Sequence, residues 1–319
     1  LAGALPIEFD RIARHFAPLA GTGAFGLTDD AACLIPPPGE DLVITADAVV
    51  AGVHFLVDDP PEMVARKLLR VNLSDLAAKG ARPLGYLLTV SVPANTPEAW
   101  FVAFAQGLAQ DQSLFGMSLL GGDTTSAPGP VSLSATVIGC VRHGGMVRRA
   151  GARPGDGIFV SGSIGDGALG LLAAQGRLAD PTGFLTGRYR LPQPRIGLVD
   201  ADDVRAAMDV SDGLVQDLGH LCRAGAVSAA VEAELVPCSE AARALGADWL
   251  ATRLTGGDDY EVLLAVAPEA EATVRQRADL AGVALTRIGS FGSAGPGPAV
   301  VVRQGGVPMA FGAGGWSHF

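Results

Sequence analysis

With 319 residues, 49% of them hydrophobic and 18% charged, the chain is long enough for two globular domains with sizeable cores. A net charge of −10, with lysine only at Lys67 and Lys79, excludes the basic stripe that a nucleic-acid surface needs. No apolar run approaches the ~20 residues of a membrane span. No basic region precedes an apolar one at the N-terminus, so no leader is expected.

In chain order, Pro6–Leu19 is predicted to be a helix. The loop GTGAFGLTDD (Gly21–Asp30) ends in Asp29 and Asp30. Ala31–Ile35 and Leu42–Ala46 read as strands, with Asp47 ending the second and His54 seven residues on. Pro61–Lys79 reads as one helix, started by Pro60 and Pro61 and stopped by Gly80 and Pro83. A strand Leu84–Val92 follows, then a helix Pro97–Gln112 with Thr96 as its N-cap. Met117–Leu120 leads into a loop, GGDTTSAPGP, carrying Asp123, and Val131–Cys140 is a strand. The Gly/Arg/Pro-rich stretch Arg148–Gly155 marks a domain boundary, giving domains 1–149 and 150–319.

The second half opens with a strand, Gly157–Ser161, and a glycine-rich loop leading into a helix near Ala168–Gln175. Thr182–Pro194 reads as a polar linker, Arg195–Ala206 as a helix and Ala207–Val210 as a strand. After DVSDGL come a helix Leu214–Ala224, the motif GGDDYE, a strand Val262–Val266, a helix Glu269–Ala281 and a late strand Ala299–Val302. Alternating strands and helices point to a mixed α/β (α+β) arrangement. Cys33, Cys140, Cys222 and Cys238 have neither metal nor disulfide spacing, so four buried free thiols in a reducing cytoplasm are expected.

On the helix Pro61–Lys79, Arg66, Lys67, Arg70 and Ser74 share a polar face. Asn72, Asp75 and Lys79 break the apolar one. A carboxylate turned toward a core must be paired, protonated or metal-bound. An Asp75–Lys79 ion pair and a metal role both satisfy that requirement.

Of the familiar phosphate-handling signatures, the P-loop and the protein-kinase set are absent. Gly165-x-Gly167-x-x-Gly170 matches a dinucleotide fingerprint, although Asp166 sits where a pyrophosphate would lie. A tight strand–helix turn is the alternative. More informative are Asp29, Asp30, Asp47, Asp75, Asp123, Asp209 and Asp212, seven acids beside apolar segments with almost no lysine to pair with. Each alone is a turn former or cap, and Asp212 in particular is placed to cap the helix at Leu214. Together they suit a Mg²⁺-dependent nucleotide site fed by both halves.

Matching stretches run almost end to end: TDDAA, ITADAVVAGVHF, VNLSDLAAKGARP, LLGGDTT, VSGSIGDGALGL, DVSDGLVQDLGH, GGDDYE and GGWSHF. On these motifs the chain resembles the thiamine-monophosphate kinases, in the superfamily of aminoimidazole ribonucleotide synthetase and selenophosphate synthetase. The resemblance implies a two-domain synthetase-like fold whose N-terminal domains pair into a β-barrel across a homodimer. It implies ATP-dependent phosphorylation of thiamine monophosphate, assisted by several Mg²⁺ ions. Carried over by position, Asp30, Thr45, Ala46, Asp47, Asp75, Asp123, Asp209 and Asp212 are implied metal ligands, Asp75 and Asp209 being the catalytic pair. Phe115, Gly122, Asp123, Arg149 and Ser211 are implied nucleotide contacts, and His54, Asp258 and Trp316 implied thiamine contacts. For Trp316, a face for a cationic thiazolium stands beside a plain core anchor.

Four positions depart from the family pattern. Thr28 replaces a glycine, Ala46 a threonine, Phe115 a tyrosine and Asp258 a glutamate. Another ligase or cyclase of the superfamily, or a nucleotide-binding homologue with weak turnover, are the alternatives that remain.

Overall fold

The computed structural model describes residues 6–312 and 314–317. The first five residues and the last two of the GGWSHF tail lie outside the described residues. The chain forms two compact units. One holds the chain up to Leu76 together with Arg82–His143, and the other holds Ala77–Ala81 with the chain from Gly144 onward.

The first unit begins with α1 (Ile7–Arg11), which runs on through a π turn, Ile12–Phe16, and a 3₁₀ turn, Ala17–Leu19. Then come β1 (Glu40–Val50), α2 (Pro61–Ala78), β2 (Arg82–Val92), α3 (Glu98–Phe115), β3 (Ser118–Ser126) and β4 (Ser132–Arg142). The four strands form an open sheet in the order β1-β4-β2-β3. β4 is antiparallel to both neighbours, and β3 returns parallel to β2 through the α3 crossover.

Several expectations are corrected here. Residues 31–35 form no strand. Leu42–Ala46 is the middle of the longer β1, so Asp47 lies within a strand instead of ending one. GGDTTS looks like a turn, yet it pairs with β2 residue for residue, so Asp123 is also a strand residue. Thr96 does not cap α3. Its hydroxyl donates to the Pro93 carbonyl, and Pro97 holds the cap position. The polar face of α2 is turned inward: Lys67, Arg70 and Ser74 are buried, Asp111 of α3 receives Arg66 Nε at 2.9 Å and Arg70 Nε at 2.6 Å, and Lys67 Nζ donates to the His54 carbonyl. Cys33 is exposed and Cys238 half-buried, against the expectation of four buried thiols, and all four cysteines are free.

The second unit contains β5 (Gly157–Ser161), α4 (Asp166–Ala174), α5 (Phe184–Arg190), β6 (Val204–Asp209), α6 (Leu214–Gly225), β7 (Val227–Glu232), α7 (Glu240–Ala244), α8 (Leu250–Thr255), β8 (Val262–Val266), α9 (Glu271–Leu280), β9 (Leu285–Ser293), β10 (Val300–Gln304) and β11 (Val307–Pro308). Its seven strands run in the order β11-β10-β7-β9-β5-β8-β6. The strands β5, β8 and β6 are buried on both faces. Ile158, Val160, Met208, Leu263 and Ala265 pack in one core, while Phe159, Ala207, Val262, Leu264 and Val266 pack in the other. α6 covers the first core with Leu214, Leu218, Leu221 and Cys222, a helical stripe.

The linker expected at Thr182–Pro194 contains α5, whose Leu185 and Tyr189, four residues apart, are buried. The helix expected at Arg195–Ala206 does not form. Residues 196–203 turn, and Arg205 and Ala206 already belong to β6, where burial of Val204, Ala206 and Met208 overrides alanine's helical preference.

Candidate active-site residues in each unit

Along β1, Val43 and Val49 are buried while Leu42 and Ile44 are exposed. By the two-residue period, Thr45 and Asp47 share the inward face with the valines, and Ala46 points outward. α2 supplies the facing groups. Thr45 Oγ1 donates to Asp75 Oδ2 at 2.5 Å. Asn72 Oδ1 accepts the Asp47 N–H at 3.0 Å, and its amide donates to the Leu68 carbonyl at 2.9 Å. Ser134 Oγ donates to the Asp47 carbonyl at 3.1 Å. The structure therefore brings Thr45, Asp47 and Asp75 together. With its side chain turned away, Ala46 can contribute only a carbonyl.

His54 follows in the turn after β1. The Val50 N–H donates to its Nδ1 at 3.1 Å, which places the ring hydrogen on Nε2. Buried Lys67 donates from Nζ to the His54 carbonyl at 2.9 Å and holds that turn.

A second group in the same unit lines a pocket of about 190 Å³: Asp29, Asp30, Gly122 and Asp123, over a floor of Leu88 and Leu119. Gly122 has φ 155°, and a Cβ there would meet the Leu88 carbonyl at 1.7 Å, so no other residue fits. Asp123 pairs with Thr89, whose partner on β4 is Ser134, which pairs with Ala48. Asp123 is thus three strands from β1, roughly 14 Å by strand spacing. The two acidic groups of this unit are separate places. Among the described residues, no three or more His, Cys, Asp or Glu are grouped so as to hold a metal ion. Phe115, ending α3, lies with its ring centroid 5.5 Å from the Arg70 guanidinium carbon.

In the second unit, buried Asp209 ends β6. Beyond it DVSDGL and GGDDYE are stitched by backbone bonds. Val210 N–H donates to the Glu261 carbonyl (2.7 Å), Tyr260 N–H to that of Val210 (2.8 Å) and Asp258 N–H to that of Ser211 (2.9 Å). Asp258 takes φ 70°, a left-handed conformation that aspartate tolerates better than glutamate does. The tail joins the same place, with Trp316 N–H donating to the Asp212 carbonyl at 2.9 Å and Gln216 donating to the Trp316 carbonyl at 2.6 Å. Trp316 is 55% exposed, so its ring is not a core anchor. Asp209, Ser211, Asp212, Asp258 and Trp316 are therefore assembled by adjoining segments. Arg149 is exposed, next to Arg148, whose carbonyl accepts from Ala207 of β6.

Asp212 does not cap α6. Gly213 holds the cap position without a side-chain bond, and Asp217, in the first turn, accepts the N–H groups of Asp212 (3.0 Å) and Gly213 (3.1 Å). Burial pushes the Asp217 carboxyl up to about 7.

Sequence reasoning passed over the partners beneath this site. Asp259 is buried and accepts from the backbone N–H groups of Gly165 (2.6 Å) and Gly167 (2.9 Å), at the start of α4. A carboxylate of the chain itself thus fills the cradle of the glycine fingerprint, and the turn reading wins over the dinucleotide one. Glu261, fully buried, accepts from Ser161 Oγ (2.6 Å), Arg188 Nη2 (2.9 Å) and Arg195 Nε (2.6 Å). The arginine content of 188–195 was the available sign, since buried acids need such partners.

Burial pushes the Asp259 carboxyl up to about 8, against the bonds from Gly167 and Gly165 that favour its ionised form. With Asp217 shifted the same way, the folded protein holds more protons than the unfolded chain between about pH 4 and pH 8. Their contribution to stability is complete below the unfolded value near 4 and is lost as pH rises through the folded values. Thermal midpoints should fall from pH 5 to pH 8, and Asp259→Asn should flatten that fall. Equal slopes in variant and parent would contradict the assignment.

Known proteins resemble this chain over most of its length. Residues 28–141 match the family of AIR synthase related proteins in its N-terminal domain, and residues 153–301 match the C-terminal domain. Thiamine-monophosphate kinase of Caulobacter vibrioides is 48% identical, over 91% of this chain and 85% of its own. The crystal structure of thiamine-monophosphate kinase from Stenotrophomonas maltophilia superposes with a TM-score of 0.79 at 40% identity, covering 89% of this chain and 91% of that one. AaThiL complexed with AMPPCP and TMP superposes at 0.76 with 28% identity, covering 93% and 97%.

Proposed function

We infer the reaction from one premise: this chain belongs to the thiamine-monophosphate kinase family. It phosphorylates thiamine monophosphate to thiamine diphosphate, with ATP as donor. The observation that carries the reading is the stitching of DVSDGL to GGDDYE and to the tail, which gathers Asp209, Ser211, Asp212, Asp258 and Trp316.

A terminal phosphate oxygen of thiamine monophosphate attacks the γ-phosphorus of ATP in line. The new P–O bond forms as the bond to the β,γ-bridging oxygen breaks, and ADP leaves. The attacking oxygen is already ionised near neutral pH, so no general base is needed, and catalysis rests on positioning and charge. We assign Asp30, Thr45, Asp47, Asp75, Asp123, Asp209 and Asp212, with the Ala46 carbonyl, to holding Mg²⁺. Every one of these donors is a hard oxygen, and Mg²⁺ takes only one or two carboxylates per ion, with water and phosphate completing its shell. Such a set needs no three-residue cage. Mg²⁺ bound there offsets the charge of the phosphates. Gly122, Arg149, Ser211 and Phe115 contact the nucleotide, with Arg149 a planar donor for phosphate. His54, Asp258 and Trp316 contact thiamine.

The partner we assign is a second copy of the chain, its first-unit sheet completing a barrel with this one. Support comes from the outward face of β1, made by Leu42, Ile44 (62% exposed), Ala46 and Ala48, where Ile44 is in register with Ile138 and Ala46, through Thr136, with Leu87. Four free cysteines fit the reducing cytoplasm we assign to it.

The decisive experiment is a coupled assay with thiamine and thiamine monophosphate side by side. Thiamine diphosphate formed from the monophosphate supports the reading, and no product from it overturns the reading. In the same assay Trp316→Ala should raise KM for thiamine monophosphate by roughly tenfold with little change in kcat, the loss of one cation–π face. An unchanged KM would remove Trp316 from the site.

A further inference from the structure

We propose that the second unit carries a separate site for a phosphate-bearing small molecule, toward the end of β6 away from Asp209. A cavity of about 450 Å³ opens there, lined by Arg148, Arg153, Asp202, Asp203, Arg205 and Glu269. That volume is ordinary for a small-molecule site. Arg205 stands four residues before Asp209 on β6, roughly 13 Å along the strand.

The charges of this cavity divide into those already matched and those that are not. Asp203 receives Arg277 through two bonds of 2.7 Å. Glu269 receives Arg205 Nη2 at 3.0 Å. Buried Asp156 receives Arg205 Nη1 at 2.7 Å and the Arg153 N–H at 2.8 Å. Two carboxylates therefore fix Arg205 in place, and Asp156, Asp203 and Glu269 are engaged, while exposed Asp202 acts on Arg277 through its charge. Arg148 and Arg153 differ: both are exposed, and neither guanidinium has an ion pair among the described residues.

The wall that carries them is not a loose loop. Arg148 is tied to β6 through its carbonyl, which accepts the Ala207 N–H at 3.0 Å. Gly151 has φ 138°, and a Cβ there would meet the Arg205 carbonyl at 2.3 Å, so only glycine lets this segment close on β6. Two guanidinium forks on a fixed wall suit the oxygens of a phosphate, which accept paired N–H donors. Met146, Val204, Ala267 and Ala270 supply apolar surface for an uncharged remainder. On a chain of net charge −10, anions gather only where such a site is built.

Binding without turnover tests this, so it stands or falls apart from the kinase reading. The full chain would be titrated by calorimetry with inorganic pyrophosphate in EDTA, which removes metal-dependent binding. Saturable binding is expected in the parent and in Arg149→Ala, with a loss of tenfold or more in the double variant Arg148→Ala/Arg153→Ala. Both replaced side chains are exposed, and an unchanged thermal midpoint would show the variant folded. Three results would overturn the proposal: no saturable binding by the parent, equal binding by the double variant, or abolition by Arg149→Ala. A second arm compares inorganic phosphate with phenyl phosphate. Tighter binding of phenyl phosphate, lost in the double variant, identifies an organic ester as the occupant, and equal affinity identifies the free anion.

Discussion

Asp75→Asn should leave a folded protein whose turnover falls by roughly 10²–10³-fold, the scale on which a single group directed at transition-state charge acts. The substitution keeps the shape of the side chain and an oxygen for the Thr45 hydroxyl, which donates to Asp75 at 2.5 Å. What it removes is the negative charge that we assign to Mg²⁺. The loss should therefore appear in kcat at saturating ATP and Mg²⁺, with the thermal midpoint near that of the parent. Near-normal turnover under those conditions would take Asp75 out of the machinery. A large drop in melting temperature would mean that the carboxylate serves the packing of α2 against β1.

The largest effect on stability is expected at Asp111, about one helical turn before Phe115 on α3. Its carboxylate is fully buried and receives Arg66 Nε (2.9 Å), Arg70 Nε (2.6 Å) and Arg70 Nη2 (3.1 Å). Arg70 is itself only 2% exposed. Asp111→Ala leaves that guanidinium buried without its counter-charge, which costs about 3–5 kcal/mol. Replacing the pair together, Asp111→Leu with Arg70→Met, should recover most of the loss, because an apolar pair of similar volume avoids the desolvation penalty. Urea unfolding measures both. A loss below about 1 kcal/mol for Asp111→Ala would mean that water reaches Arg70 freely.

Much of the fold could be read in advance where a strand is buried on both faces. Val262–Val266 is apolar at every position and lies inside its sheet, between β5 and β6, so its sequence leaves little choice. β7 and β9 escaped notice because small and polar residues such as Ser228, Ala230, Gly289 and Ser290 interrupt any pattern, and cross-strand pairing defines them instead. For α2 the period correctly sorted the residues onto faces, yet periodicity says nothing about what a face meets. Arg70 reads only as a member of a polar face until Asp111, 41 positions later, is seen beside it.

The site divides in the same way. Motif positions named Asp47, Asp75, Asp209 and Asp258, and the structure sets each beside partners that hold its backbone or side chain. The anchoring residues Asn72, Asp217 and Glu261 were not singled out for that work. Their task depends on the direction of a neighbouring backbone, which no local pattern records. Asp212 shows the cost: it fits the cap position by sequence, but Gly213 holds that position, and Asp217 reaches back from the first turn to the N–H groups of Asp212 and Gly213.

The carboxylate of Asp259 on the amides of Gly165 and Gly167 bears on how such loops acquire and lose ligands. A bend able to grip an outside anion is here self-plugged by a residue 94 positions downstream of Gly165. Whether the loop is open or shut to visitors is therefore decided by one distant side chain and not by the spacing of its glycines. Descendants of this chain could switch that state with a single substitution, leaving the loop unaltered.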